Sequence, residues 1–85
     1  MHLVTGGGKL SMLGRISSIQ PSNYGFIIDE GTGIKYFFHK KQYLGDFEYL
    51  KRISPPNTKS GPIVQFKPYH HAKGERAESI ELVTE

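Results

Sequence analysis

The stretch SNYGFIIDEGTGIKYFFHKK, residues 22–41, carries three Phe, two Tyr, one His and three Lys in twenty positions. At its centre Asp-Glu-Gly-Thr-Gly separates two apolar runs. Glycines placed there supply the positive φ that a tight hairpin needs. Side chains on a strand alternate between two faces. On a strand over residues 24–29, Tyr24 and Phe26 therefore share one face, and Gly25 and Ile27 the other. On a strand over residues 34–39, Tyr36 and Phe38 share a face, with Phe37 and His39 opposite them.

Three more strands are read outward from this hairpin. The first covers residues 12–19 (MLGRISSI) and ends in a turn at QPSN; the others cover 63–70 (IVQFKPYH) and 76–83 (RAESIELV), joined by HAKGE. Alternation is clearest in IVQFK and SIELV, which calls for one buried and one wet face. Ten Gly and five Pro fall between the short apolar runs, as an all-β domain with tight turns requires. The long connection at 40–62 contains GDFEYLKRI, read as one short amphipathic helical turn, and then SPPNTKSG, read as flexible loop. Residues 1–11 read as a mobile tail, leaving 12–85 as the domain. The tail's TGGGK lacks the spacing of a phosphate loop.

Eighty-five residues make one domain with a thin margin of stability. The chain has no Cys, which removes disulfides, thiolate nucleophiles and Cys-based zinc sites together. No apolar run approaches the roughly 18 residues of a membrane helix. A cytoplasmic protein is expected. The net charge of +3 suits a polyanionic partner without proving one.

A barrel of five strands has room inside for one small layer of side chains. Ile16, Ile19, Ile27, Tyr36, Phe38, Val64, Phe66, Ala77, Ile80 and Leu82 are expected to fill it. Gly25 leaves the inner face bare at its own position. Tyr24, Phe26, Phe37 and His39 are then left outside on adjacent strands. Exposed rings in a cluster call for a partner, and each nucleic-acid base that stacks on a ring gains about 1–3 kcal/mol.

These residues resemble the cold-shock domain family. NYGFII is similar to its first ribonucleoprotein motif (commonly Lys-Gly-Phe-Gly-Phe-Ile), and YFFHK to its second (Val-Phe-Val-His-Phe). GRISSI, GPIVQF and AKGERAESIEL stand where the family has its first, fourth and last strands, so the resemblance runs from Met12 to Val83. It implies a five-stranded antiparallel barrel of the oligonucleotide-binding (OB) fold, with Tyr24, Phe26, Phe37 and His39 as a base-stacking platform. The departures are specific. The family's first-strand Trp falls at Ser18 and a preceding Lys at Ser17. Its Lys-Gly becomes Ser22-Asn23, the aromatic after the histidine becomes Lys40, and the first turn is one residue shorter. Asn23 still suits a left-handed turn.

Phe47 and Tyr49 stand where the family often carries a loop aromatic; they either meet a base or close the bottom of the barrel. Arg15, Lys40, Lys41, Lys51, Arg52, Lys59, Lys73 and Arg76 are the candidate phosphate contacts. An RNA-recognition motif has a similar aromatic signature but needs two amphipathic helices that this chain lacks.

No catalytic chemistry is expected. His70 and His71, adjacent on a strand, point to opposite faces and do not chelate one ion. Asp29 and Glu30 read as turn formers, and Ser17 and Ser18 have no base beside them in sequence. The expectation is a non-enzyme without metal or cofactor, a monomer or weak homodimer that binds single-stranded RNA or DNA. The alternative is a protein-interaction or self-association module that has lost nucleic-acid binding.

Overall fold

Asp29 organises the hairpin on which the fold turns. One carboxylate oxygen accepts the backbone N–H of Gly31 at 2.9 Å, the other the Thr32 hydroxyl at 3.1 Å. Its carbonyl accepts the N–H of Gly33 at 2.6 Å. Gly33 has φ of 80°, a left-handed value that costs a residue with Cβ. In the computed structural model of the chain, residues 11–54 and 61–83 are described. The expected tail, with His2 and TGGGK, lies almost wholly outside them, as do Lys59 and most of SPPNTKSG.

The strands are β1 (Met12–Gln20), β2 (Tyr24–Ile28), β3 (Lys35–His39), β4 (Ile63–His71) and β5 (Gly74–Leu82). A 3-10 turn at Lys40–Gln42 and a helix, α1 (Phe47–Ile53), occupy the long connection. The strands close into a barrel in the order β1-β2-β3-β5-β4. All neighbours are antiparallel except β3 and β5, which run parallel. This is an all-β, OB-like barrel, as the sequence leads one to expect. No described helix is long and apolar enough to cross a membrane.

Ile16, Ile27, Phe38, Val64, Phe66, Ala77 and Ile80 are sealed inside, and Tyr36 with them. Ile19 and Leu82, expected in the core, are only partly buried against it. Two bulges explain which residues turn inward. Pairing slips between Ile16 and Ser18, so Ile16 and Ile19 both face inward although they are three residues apart. A second slip lies between Gln65 and Lys67, opposite Ser79, whose φ is 51°. It brings both Ala77 and Ile80 into the core.

Two corrections concern the interior. The inner face is not bare at Gly25: a Cβ there would stand 3.0 Å from the Phe38 ring and 2.5 Å from the Ser18 carbonyl oxygen. Phe38 fills the space from the next strand. The connection after β3 also adds Tyr43, Phe47 and Leu50 to the core. The Leu44 N–H donates to the Ile80 carbonyl at 2.8 Å, and Asp46 caps α1 by accepting the N–H groups of Glu48 and Tyr49. The amphipathic segment is thus a plug for the barrel, held by a capped helix.

Candidate nucleic-acid interface

Register places the expected platform residues together. Cross-strand partners share a face, and Tyr24 pairs with His39 while Phe26 pairs with Phe37. The outward row continues through Ser18 on one side, in register with Phe26, and Arg76 on the other, in register with Phe37. Tyr24 and Phe37 stack with ring centroids 5.4 Å apart. Phe26 meets Tyr24 edge-on at 6.1 Å and Phe37 at 5.8 Å. The three rings are half-buried and His39 is exposed. They shield one another, and none belongs to the core cluster.

Cations lie over two of the rings. The Arg76 guanidinium carbon is 4.6 Å from the centroid of Phe37, and Lys35 Nζ is 5.9 Å from that of Phe26. Each such contact stabilises by about 0.5–1 kcal/mol at an exposed site. Lys35 was not among the expected contacts. Its signal was available in the alternation, since it precedes Phe37 by two residues and so shares its face.

His39 is oriented by its own turn, its Nδ1 accepting the Lys41 backbone N–H at 3.2 Å. That leaves Nε2 to carry the ring hydrogen as a donor. The Asn23 carbonyl accepts the Lys40 N–H at 2.9 Å, which ties the end of β3 to the β1–β2 turn. Asn23 takes φ of 66°, the left-handed conformation expected of it.

The other candidates are dispersed. Lys40 and Lys41 are exposed beside His39, and Lys73 is exposed at the β4–β5 turn. Arg15 faces outward, but it pairs with Glu30 at 3.2 Å and donates to the Gly61 carbonyl at 3.0 Å. A shallow recess of about 230 Å³ lies at that end of β1, between Leu13, Arg15, Glu30 and Ile63, away from the rings. Lys51 pairs with Glu48 at 3.8 Å along α1, and Arg52 is exposed there. Phe47 offers no ring face to a base, because it is buried in the core with Leu50 and meets Tyr43 at 6.4 Å. It closes the barrel, which corrects its place among the binding candidates. Tyr49, on the same helix, is 45% exposed.

Ser18, at the family's Trp position, is 5% exposed yet lies in the outward row, so it forms a small floor beside Phe26. His70 and His71 do point to opposite faces: His70 Nδ1 lies 3.0 Å from Glu75, while His71 Nδ1 accepts the Lys73 N–H at 3.0 Å. Among the described residues, no group of three or more His, Cys, Asp or Glu is placed to hold a metal ion.

In comparisons with known proteins, no protein-family model and no curated protein matches this sequence.

Proposed function

We propose that this chain is a cold-shock-like OB barrel of the cytoplasm that holds single-stranded RNA or DNA on the outer face of β2 and β3. One observation carries the reading: Tyr24, Phe26 and Phe37 touch one another on the surface, with Arg76 and Lys35 over two of them. Rings in that setting offer stacking surface to any base, and the cations meet the phosphates. OB folds that bind oligonucleotides use the face of strands 2 and 3, and the motif order along the chain resembles that of cold-shock domains.

A paired base hides its π-faces within the duplex, so the platform takes unpaired strands. Binding only the unpaired state opens weak secondary structure by mass action. With Ser18 in place of a ring the platform is smaller, by one stacking contact of about 1–3 kcal/mol.

Titration with a short pyrimidine-rich oligonucleotide, followed by tyrosine fluorescence, tests the reading. Affinity is expected to be micromolar or tighter at low salt. It should fall as salt rises, with a log–log slope near −0.7 per phosphate contacted. Replacing Phe26 and Phe37 together by Ala should abolish binding while circular dichroism shows the barrel intact. Unchanged affinity in that double variant overturns the reading. No oligonucleotide response, together with a concentration-dependent dimer in gel filtration, assigns the rings to self-association instead.

A further inference from the structure

The outer face does not stop at β3. Across β5 it continues onto β4, where Lys67, Tyr69 and His71 are in register with Glu78, Arg76 and Gly74. The pattern Lys-x-aromatic-x-His-x-Lys therefore occurs twice, as Lys35, Phe37, His39, Lys41 and as Lys67, Tyr69, His71, Lys73. The likeness extends to hydrogen bonding. His39 Nδ1 accepts the backbone N–H of Lys41, and His71 Nδ1 accepts that of Lys73. In each copy the histidine closes the turn after its strand, and the aromatic ring stands two residues back on the same face.

Both copies meet at Arg76. Phe37 is its register partner on one side and Tyr69 on the other. Since β3 is parallel to β5 and β4 antiparallel, the two patterns run in opposite directions past one guanidinium. Neighbouring strands lie about 4.8 Å apart, so the α-carbons of Phe37 and Tyr69 are separated by about 10 Å. That is too far for both rings to serve one base and near enough to serve two bases of one strand. Tyr69 is half-buried, and among the described residues its side chain has no ring contact or hydrogen-bond partner.

We propose that Tyr69 is a second stacking station for the same single strand, with Arg76 between the stations and Lys67, His71 and Lys73 beside the backbone path. This rests on the β2–β3 face being a single-strand platform. The track then crosses the barrel from β2 to β4, and its occupancy depends on ligand length.

The test compares an oligothymidine of about three nucleotides with one of about eight, a length within the range one OB fold holds. Tyr69→Ala should weaken the longer strand roughly five- to hundredfold and leave the shorter within twofold. Tyr69→Phe should retain full affinity, because the ring and not the hydroxyl is used. Nuclear magnetic resonance of the wild-type chain should show the Tyr69 ring shifting with the longer strand alone. Equal losses for both lengths, or no loss for the longer, overturn the second station. If instead the Phe26 and Phe37 double variant binds both lengths like wild type, the platform itself falls.

Discussion

On the inner face of the β2–β3 hairpin, Ile27, Tyr36 and Phe38 are sealed against Val64, Phe66 and Ile80. On its outer face Tyr24, Phe26 and Phe37 stay half-open, leaning on one another and on Lys35 and Arg76. The residue types are nearly the same. What differs is the surroundings: the barrel closes on one side, and long cations bend over the other. Ring content therefore does not separate core from site here; the alternation of the strand does.

Exchanging the consequences of the two faces tests this contrast. The largest effect belongs to Phe38→Ala, expected to cost about 3–5 kcal/mol because a sealed ring leaves a cavity. That approaches the whole stability of a small domain, and urea unfolding should show a mostly unfolded chain. Phe37→Ala, one position away, should cost about 1 kcal/mol; a loss as large as that of Phe38→Ala would erase the distinction.

Gly25→Ala comes next. The added methyl would press on the Ser18 carbonyl and the Phe38 ring, costing about 1–3 kcal/mol in the same measurement. Arg76→Gln should change stability by less than about 1 kcal/mol. It should also lower the salt slope of oligonucleotide binding by about 0.7, one phosphate contact. Loss of stability without a change of slope would make Arg76 a cover for Phe37 and nothing more.

The smallest effect appears at alkaline pH. Burial raises the Tyr36 hydroxyl above its ordinary 10.0, with Asp29 and Glu75 adding to the shift. Burial raises Tyr43 likewise, followed by Asp46 and Tyr49. In the unfolded chain these phenols ionise first, so their contribution is intact below pH 10 and is lost as pH rises through the folded values. That contribution should be constant up to about pH 10 and then decline. Tyr36→Phe and Tyr43→Phe should each soften the decline, and the tyrosinate absorbance lost in these two variants should be the part that appears only on unfolding.

Much of this was legible in the residues. The alternation of Tyr24-Gly25-Phe26 and of Tyr36-Phe37-Phe38 sorted the rings correctly between faces, and the shape of Asn23 and of the Asp29–Gly33 turn followed from side-chain chemistry. The bulges at Ser17 and Ser79 were not legible, since an inserted residue shifts the frame without a compositional mark. Phe47 was ambiguous because a single helical turn has too few positions to define a face. Its place in the core depends on the Tyr43–Ile80 bridge and the Asp46 cap. Gly25 misled because the atoms that fill its vacancy come from Phe38 on the neighbouring strand.

One seam carries a mechanical consequence. The parallel strands β3 and β5 are joined in register at one place among the described residues, Phe37 and Arg76. Every other seam of the barrel is stitched at several positions. Regions with fewer backbone links open at lower free energy, so the cylinder gives way most readily between Phe37 and Arg76, along one edge of the ring cluster. A single strand laid across that line, as proposed, would work as a splint, and the stiffness of the wall would then report whether the face is occupied.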